Sequence, residues 1–142
     1  MTYKELRERQ YKEVNAFPFV FAFNDAQFEK AAAEKWGDRW KDPGSVIAIG
    51  AGGYVLKDDY PRMKEMFKRH RDELQEAIDA DQTGHDFIEG MFYYELCNHE
   101  YSYTGDIEET LNALGLTAED VNASEPLQAG LKAATKRAMQ EG

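Results

Sequence analysis

Val46-Ile47-Ala48-Ile49-Gly50-Ala51-Gly52-Gly53-Tyr54-Val55-Leu56 is the stretch on which the fold class turns. Two short runs of β-branched and aromatic residues flank a glycine tract, and that pattern predicts a β-hairpin over 46–57. A phosphate-binding loop is the rival reading of Gly50-Ala51-Gly52-Gly53. It lacks the third spaced glycine, the Lys-Ser/Thr pair and the helix that should follow at once. Upstream, Phe17, Phe19, Phe21 and Phe23 recur with period two, which places all four rings on one face of a strand, and Pro18 favours a strand start or an edge. A base-stacking platform would need a basic groove around such rings, so they are assigned to core packing.

Helical signals surround the hairpin. Tyr3, Leu6, Gln10 and Val14 make a stripe at helical spacing. Asn24 with Gln27 has the form of a capping box that opens a helix running to Gly37. Asp59-Tyr60-Pro61 opens another, whose apolar side is Met63, Met66, Phe67, His70, Leu74 and Ile78. Asp86 to Tyr103 is apolar in nearly every direction, the mark of a central buried helix. Asp106 with Glu109 and Thr117 with Asp120 propose further starts, and Pro126 to Met139 offers Leu127, Leu131, Ala134 and Ala138 as a narrow seam. The expected fold is therefore α+β: a small antiparallel sheet of about three strands covered by five or six helices, in a single domain over 1–142.

Charge narrows the function classes. The chain of 142 residues has 17 Lys+Arg against 27 Asp+Glu, a net of −10, so a direct grip on nucleic-acid phosphates is not expected and the fitting partner is a basic protein. The charge is also uneven. Residues 1–71 carry a net of +3, whereas Asp72 to Leu131 contains no Lys or Arg and fifteen carboxylates. From that block Asp79, Asp81, Asp86, Glu89, Glu108, Glu109, Glu119 and Asp120 are taken as a negatively charged binding surface. Tyr93, Tyr94, Tyr101 and Tyr103 lie among them, and aromatics mixed with carboxylates suit an Arg-rich partner. The absence of a long apolar stretch and the charged amino terminus place the protein in the cytoplasm, away from membranes.

Glu95, Asn98 and His99, next to Glu100, are the polar group that stands out in the apolar 86–103 segment. Glu95 and His99, four apart, share a helix face and read first as a buried polar network. As an acid/base or metal pair they would define a small enzyme, but there is no His-x-x-x-His and no paired Cys, so no metal or cofactor is assigned. Cys97 is read as a buried structural thiol.

Asn15-Ala16-Phe17-Pro18-Phe19, Phe21-Ala22-Phe23, Ile49-Gly50-Ala51-Gly52-Gly53-Tyr54 and Met91 to Tyr101 together resemble a family of small uncharacterised proteins from Gram-positive gut bacteria and their phages. That resemblance carries no activity and no functional residue; it implies a mobile-element setting. Three function classes follow. The leading one is a non-enzymatic acidic binding protein, in its sharpest form a phage or mobile-element inhibitor of a host nucleic-acid-binding or defence protein. The others are an enzyme using Glu95 and His99, and an assembly module that homodimerises through the alanine seam.

Overall fold

In the computed structural model, which describes residues 1–141, Val46–Gly50 (β2) and Gly53–Leu56 (β3) form the antiparallel hairpin, and Val20–Phe21 (β1) pairs with the other edge of β3. The helices are Tyr3–Ala16 (α1), Asp25–Trp36 (α2), Tyr60–Ala80 (α3) and Phe87–Asn98 (α4), then Tyr101–Thr104 (α5), Glu108–Leu114 (α6), Ala118–Asn122 (α7) and Glu125–Glu141 (α8). The class is α+β with a three-stranded antiparallel sheet ordered β1-β3-β2. The described residues hold eight α-helices rather than five or six, in part because the run from Asp86 to Tyr103 is broken. His99 ends α4, and Glu100 takes a left-handed φ of 56° before α5 begins. By contacts the chain separates into two compact units, residues 10–72 and residues 1–9 with 73 onward.

In the 10–72 unit the sheet is buried on both faces. Phe19 and Val55 pack with Met63 and Met66 on one side, joined by Ile47 and Ile49. Val20 and Leu56 pack with Ala32 and Trp36 of α2 on the other, joined by Phe28 and Tyr54. β3 supplies both layers because it is the central strand and its side chains alternate. The phenylalanine ladder divides accordingly. Phe19 is core, but Phe21 and Phe23 are 62% and 87% exposed. β1 is only two residues long, and beyond it the rings lie over the glycine turn: a Cβ on Gly53 would come within 3.0 Å of the Phe21 ring, and one on Gly52 equally near Phe23. Asn24 caps α2 by accepting from the Gln27 N–H at 2.8 Å, and Gln27 Oε1 accepts from the Phe23 N–H at 3.0 Å.

The other unit is helical and built around α4, whose Ile88, Met91, Phe92 and Leu96 are fully buried. Tyr3 and Leu6 of α1, Leu111 and Leu114 of α6, Val121 of α7, and Leu127, Ala134 and Ala138 of α8 close over it. The alanine seam of α8 is thus packed within the unit: small side chains let α8 approach α4 closely. The approach is tightest at Gly130, where an added Cβ would fall 2.4 Å from Ile88 Cγ2 and 2.6 Å from the Gly84 carbonyl oxygen. Thr117 and Asp120 form the expected capping box at α7.

Candidate functional site

Helix α4 passes through an apolar core, yet Glu95 sits in it at 0% exposure. A buried carboxylate requires partners, and α1 brings them. Tyr3 donates its hydroxyl to Glu95 Oε1 at 2.6 Å, Arg7 Nη1 lies 3.4 Å from the same oxygen, and Arg7 also donates to the Tyr3 hydroxyl at 3.3 Å. Tyr3 and Arg7 are four apart on one helix face, which is why both reach one carboxylate. Burial, and then the Glu95 carboxylate, raise the Tyr3 phenol above its usual range. Burial opposes the charge of Arg7, but the Tyr3 and Glu95 oxygens more than offset it and its pKa rises.

On the far side of the carboxylate, His99 Nε2 stands 3.3 Å from Glu95 Oε2, within ion-pair range but not aligned as a hydrogen bond. Its Nδ1 lies 3.5 Å from Glu109 Oε2. The imidazole therefore has a carboxylate within ion-pair distance of each ring nitrogen. Among the described residues no three His, Cys, Asp or Glu side chains gather as a metal site. Asn98, grouped with this pair from sequence, is exposed, because it turns away from the Glu95 face toward the surface. Sequence reading missed Tyr3 and Arg7. The signal available was a tyrosine in the apolar stripe of α1, since a buried phenol needs an acceptor.

A cleft of about 620 Å³ adjoins this cluster. Gly90, Tyr93, Tyr94, Cys97 and Asn98 of α4 line it, with Tyr3 and Lys4 of α1 and Arg137 of α8. Cys97, expected to be buried, is exposed here. Arg137 stacks on the Tyr93 ring, 3.8 Å from its centroid, and Glu141 receives both the Tyr93 hydroxyl and, at 3.4 Å, Arg137 Nε.

The eight carboxylates singled out from sequence have different surroundings. Asp81 is not a surface group: it is buried, and its Oδ1 accepts from the Gly84 N–H at 2.9 Å while Oδ2 accepts from those of Asp86 and Ile88 at 3.1 and 3.0 Å. It ties the turn after α3 to the first turn of α4, and burial notwithstanding, these backbone donors hold its pKa below the usual carboxylate value. Asp79, Asp86, Glu108, Glu109, Glu119 and Asp120 are exposed and Glu89 is half-buried. Asp79 accepts from Gln75, Glu89 faces His85, Glu109 faces His99 and Asp120 caps α7. Asp86, Glu108 and Glu119 have no side-chain partner among the described residues.

Charge follows the two units. Residues 1–9 with 73 onward carry six Lys or Arg against seventeen Asp or Glu, a net of −11, while residues 10–72 carry eleven against ten, a net of +1. No helix among the described residues is long and apolar enough to cross a membrane.

Fold and site together define a small α+β protein with an acidic helical unit, a carboxylate buried at its centre and an aromatic cleft beside it. A family model of unknown function, DUF7659, matches residues 2–137, and the chain belongs to that family. No curated protein and no solved structure matches the chain.

Proposed function

We propose that the protein is a non-enzymatic binding protein of the cytoplasm whose acidic unit docks on a basic protein partner. The observation that carries this reading is the partition of charge, −11 on one unit and +1 on the other. A net charge of that size steers oppositely charged partners and repels nucleic acid. Exposed carboxylates without internal partners, Asp86, Glu108 and Glu119, supply the contacts. The sharpest form is a phage or mobile-element inhibitor that presents carboxylates where a host nucleic-acid-binding or defence protein expects phosphates. The acid/base alternative at Glu95 and His99 has weaker support, since Glu95 is fully buried and both nitrogens of His99 face carboxylates.

The test is affinity capture with wild type and with the triple variant Asp86→Asn, Glu108→Gln, Glu119→Gln, which touches no core contact. A basic protein is expected to be retained by wild type at low salt, and its affinity to fall roughly tenfold in the variant and again when screening shortens to a few ångströms near 1 M salt. Capture indifferent to both salt and the variant overturns the reading.

A further inference from the structure

We propose that the cleft lined by α1, α4 and α8 is a binding site for a small planar organic anion, a ligand with an aromatic body and one acidic group. Three independent observations converge on it. Its size, about 620 Å³, falls in the range of small-molecule sites, and three tyrosines line it: the half-buried Tyr94 and Tyr93, the latter carrying Arg137 on its ring, and the edge of the buried Tyr3. Its charge runs against its surroundings. In a unit of net −11, two of the six cationic side chains, Lys4 and Arg137, line this one cleft, and a third, Arg7, lies 5.9 Å from the Tyr94 ring centroid. Lys4 has no acidic partner among the described residues. Arg137 is held flat on Tyr93 with Nε toward Glu141, so its remaining N–H groups are available to an acidic group.

The third observation is Gly90. It sits inside α4, has no positive φ, and a Cβ added there would meet nothing within 4 Å. Neither backbone nor packing demands glycine at this position, and glycine weakens a helix interior. What its missing side chain does is keep the cleft floor open.

Cys97, the single cysteine, also lines the cleft and reports on it. The probe is 1-anilinonaphthalene-8-sulfonate, compared with uncharged N-phenyl-1-naphthylamine, which has the same rings without the sulfonate. The sulfonate is expected to bind one per chain, to slow the reaction of Cys97 with N-ethylmaleimide at least fivefold, and to bind several-fold more weakly to Lys4→Gln. Gly90→Leu should abolish both binding and protection while melting no lower than wild type. Lys4 is exposed and unpaired, so its variant decides the matter even if Gly90→Leu does not fold. Equal binding of the uncharged ring compound, or binding that leaves Cys97 as reactive as before, overturns the proposal.

Discussion

Asp81 shows how much a single carboxylate can hold in place. Both of its oxygens accept from backbone N–H groups, and those donors lie in a turn and a helix start that would otherwise be short of partners. Asp81→Ala should lower stability by about 3 kcal/mol, since several N–H groups lose their acceptor at once, and Asp81→Asn should recover part of it; chemical denaturation measures both. The sign of the pH dependence follows from the depressed folded-state pKa. Its contribution is complete above the unfolded value near 4 and is lost as pH falls through the folded one, so the gap between wild type and Asp81→Ala should narrow below about pH 4. Sequence reading placed this residue on a surface. It could see a carboxylate in an acidic run, but not that the turn at 82–86 folds its N–H groups back onto it. Asp120 was legible because its partner, Thr117, is three residues away.

Two glycines in the helices of the acidic unit make opposite predictions. At Gly130 of α8 a methyl group would be driven into Ile88 and the Gly84 carbonyl, so Gly130→Ala should destabilise by about 3 kcal/mol despite its better helix propensity. At Gly90 of α4 the methyl group has room, so Gly90→Ala should stabilise by about 1 kcal/mol. Thermal melts of the two variants should therefore move in opposite directions. The elements themselves were largely readable from periodicity: the hairpin, α3 and the start of α7 stand where the pattern puts them. The break after α4 was not, since no proline or glycine marks it and Glu100 adopts its left-handed backbone without such a signal. The division of the phenylalanine ladder was equally hidden, because period two fixes which side a ring takes and not how far the sheet extends beneath it.

For the molecule as a whole, the acidic excess has a local as well as a global meaning. Glu89, Glu108, Glu109, Glu119, Asp120 and Glu125 all stand in first turns, of α4, α6, α7 and α8, where negative charge complements the helix dipole. Of these, Asp120 was legible as helix punctuation; the box expected of Asp106 with Glu109 does not form, because α6 starts at Glu108 with no side-chain cap and Asp106 accepts from the Glu108 N–H instead. Its remaining cost is self-repulsion within a unit of net −11, so moderate salt should raise the melting temperature by roughly 2–5 °C while weakening any basic partner. What no local pattern could show is that residues 1–9 belong with 73 onward. Tyr3 meets its acceptor 92 positions later in the chain. Residues 10–72 form a continuous stretch, so all partners within that unit have emerged once residue 72 is made. The first helix turn is different: at ordinary synthesis rates it waits roughly 5–20 s for Glu95 to emerge. Over that interval the Tyr3 and Leu6 stripe is an open apolar edge on the nascent chain, and a chaperone acting on this protein should find a handle there.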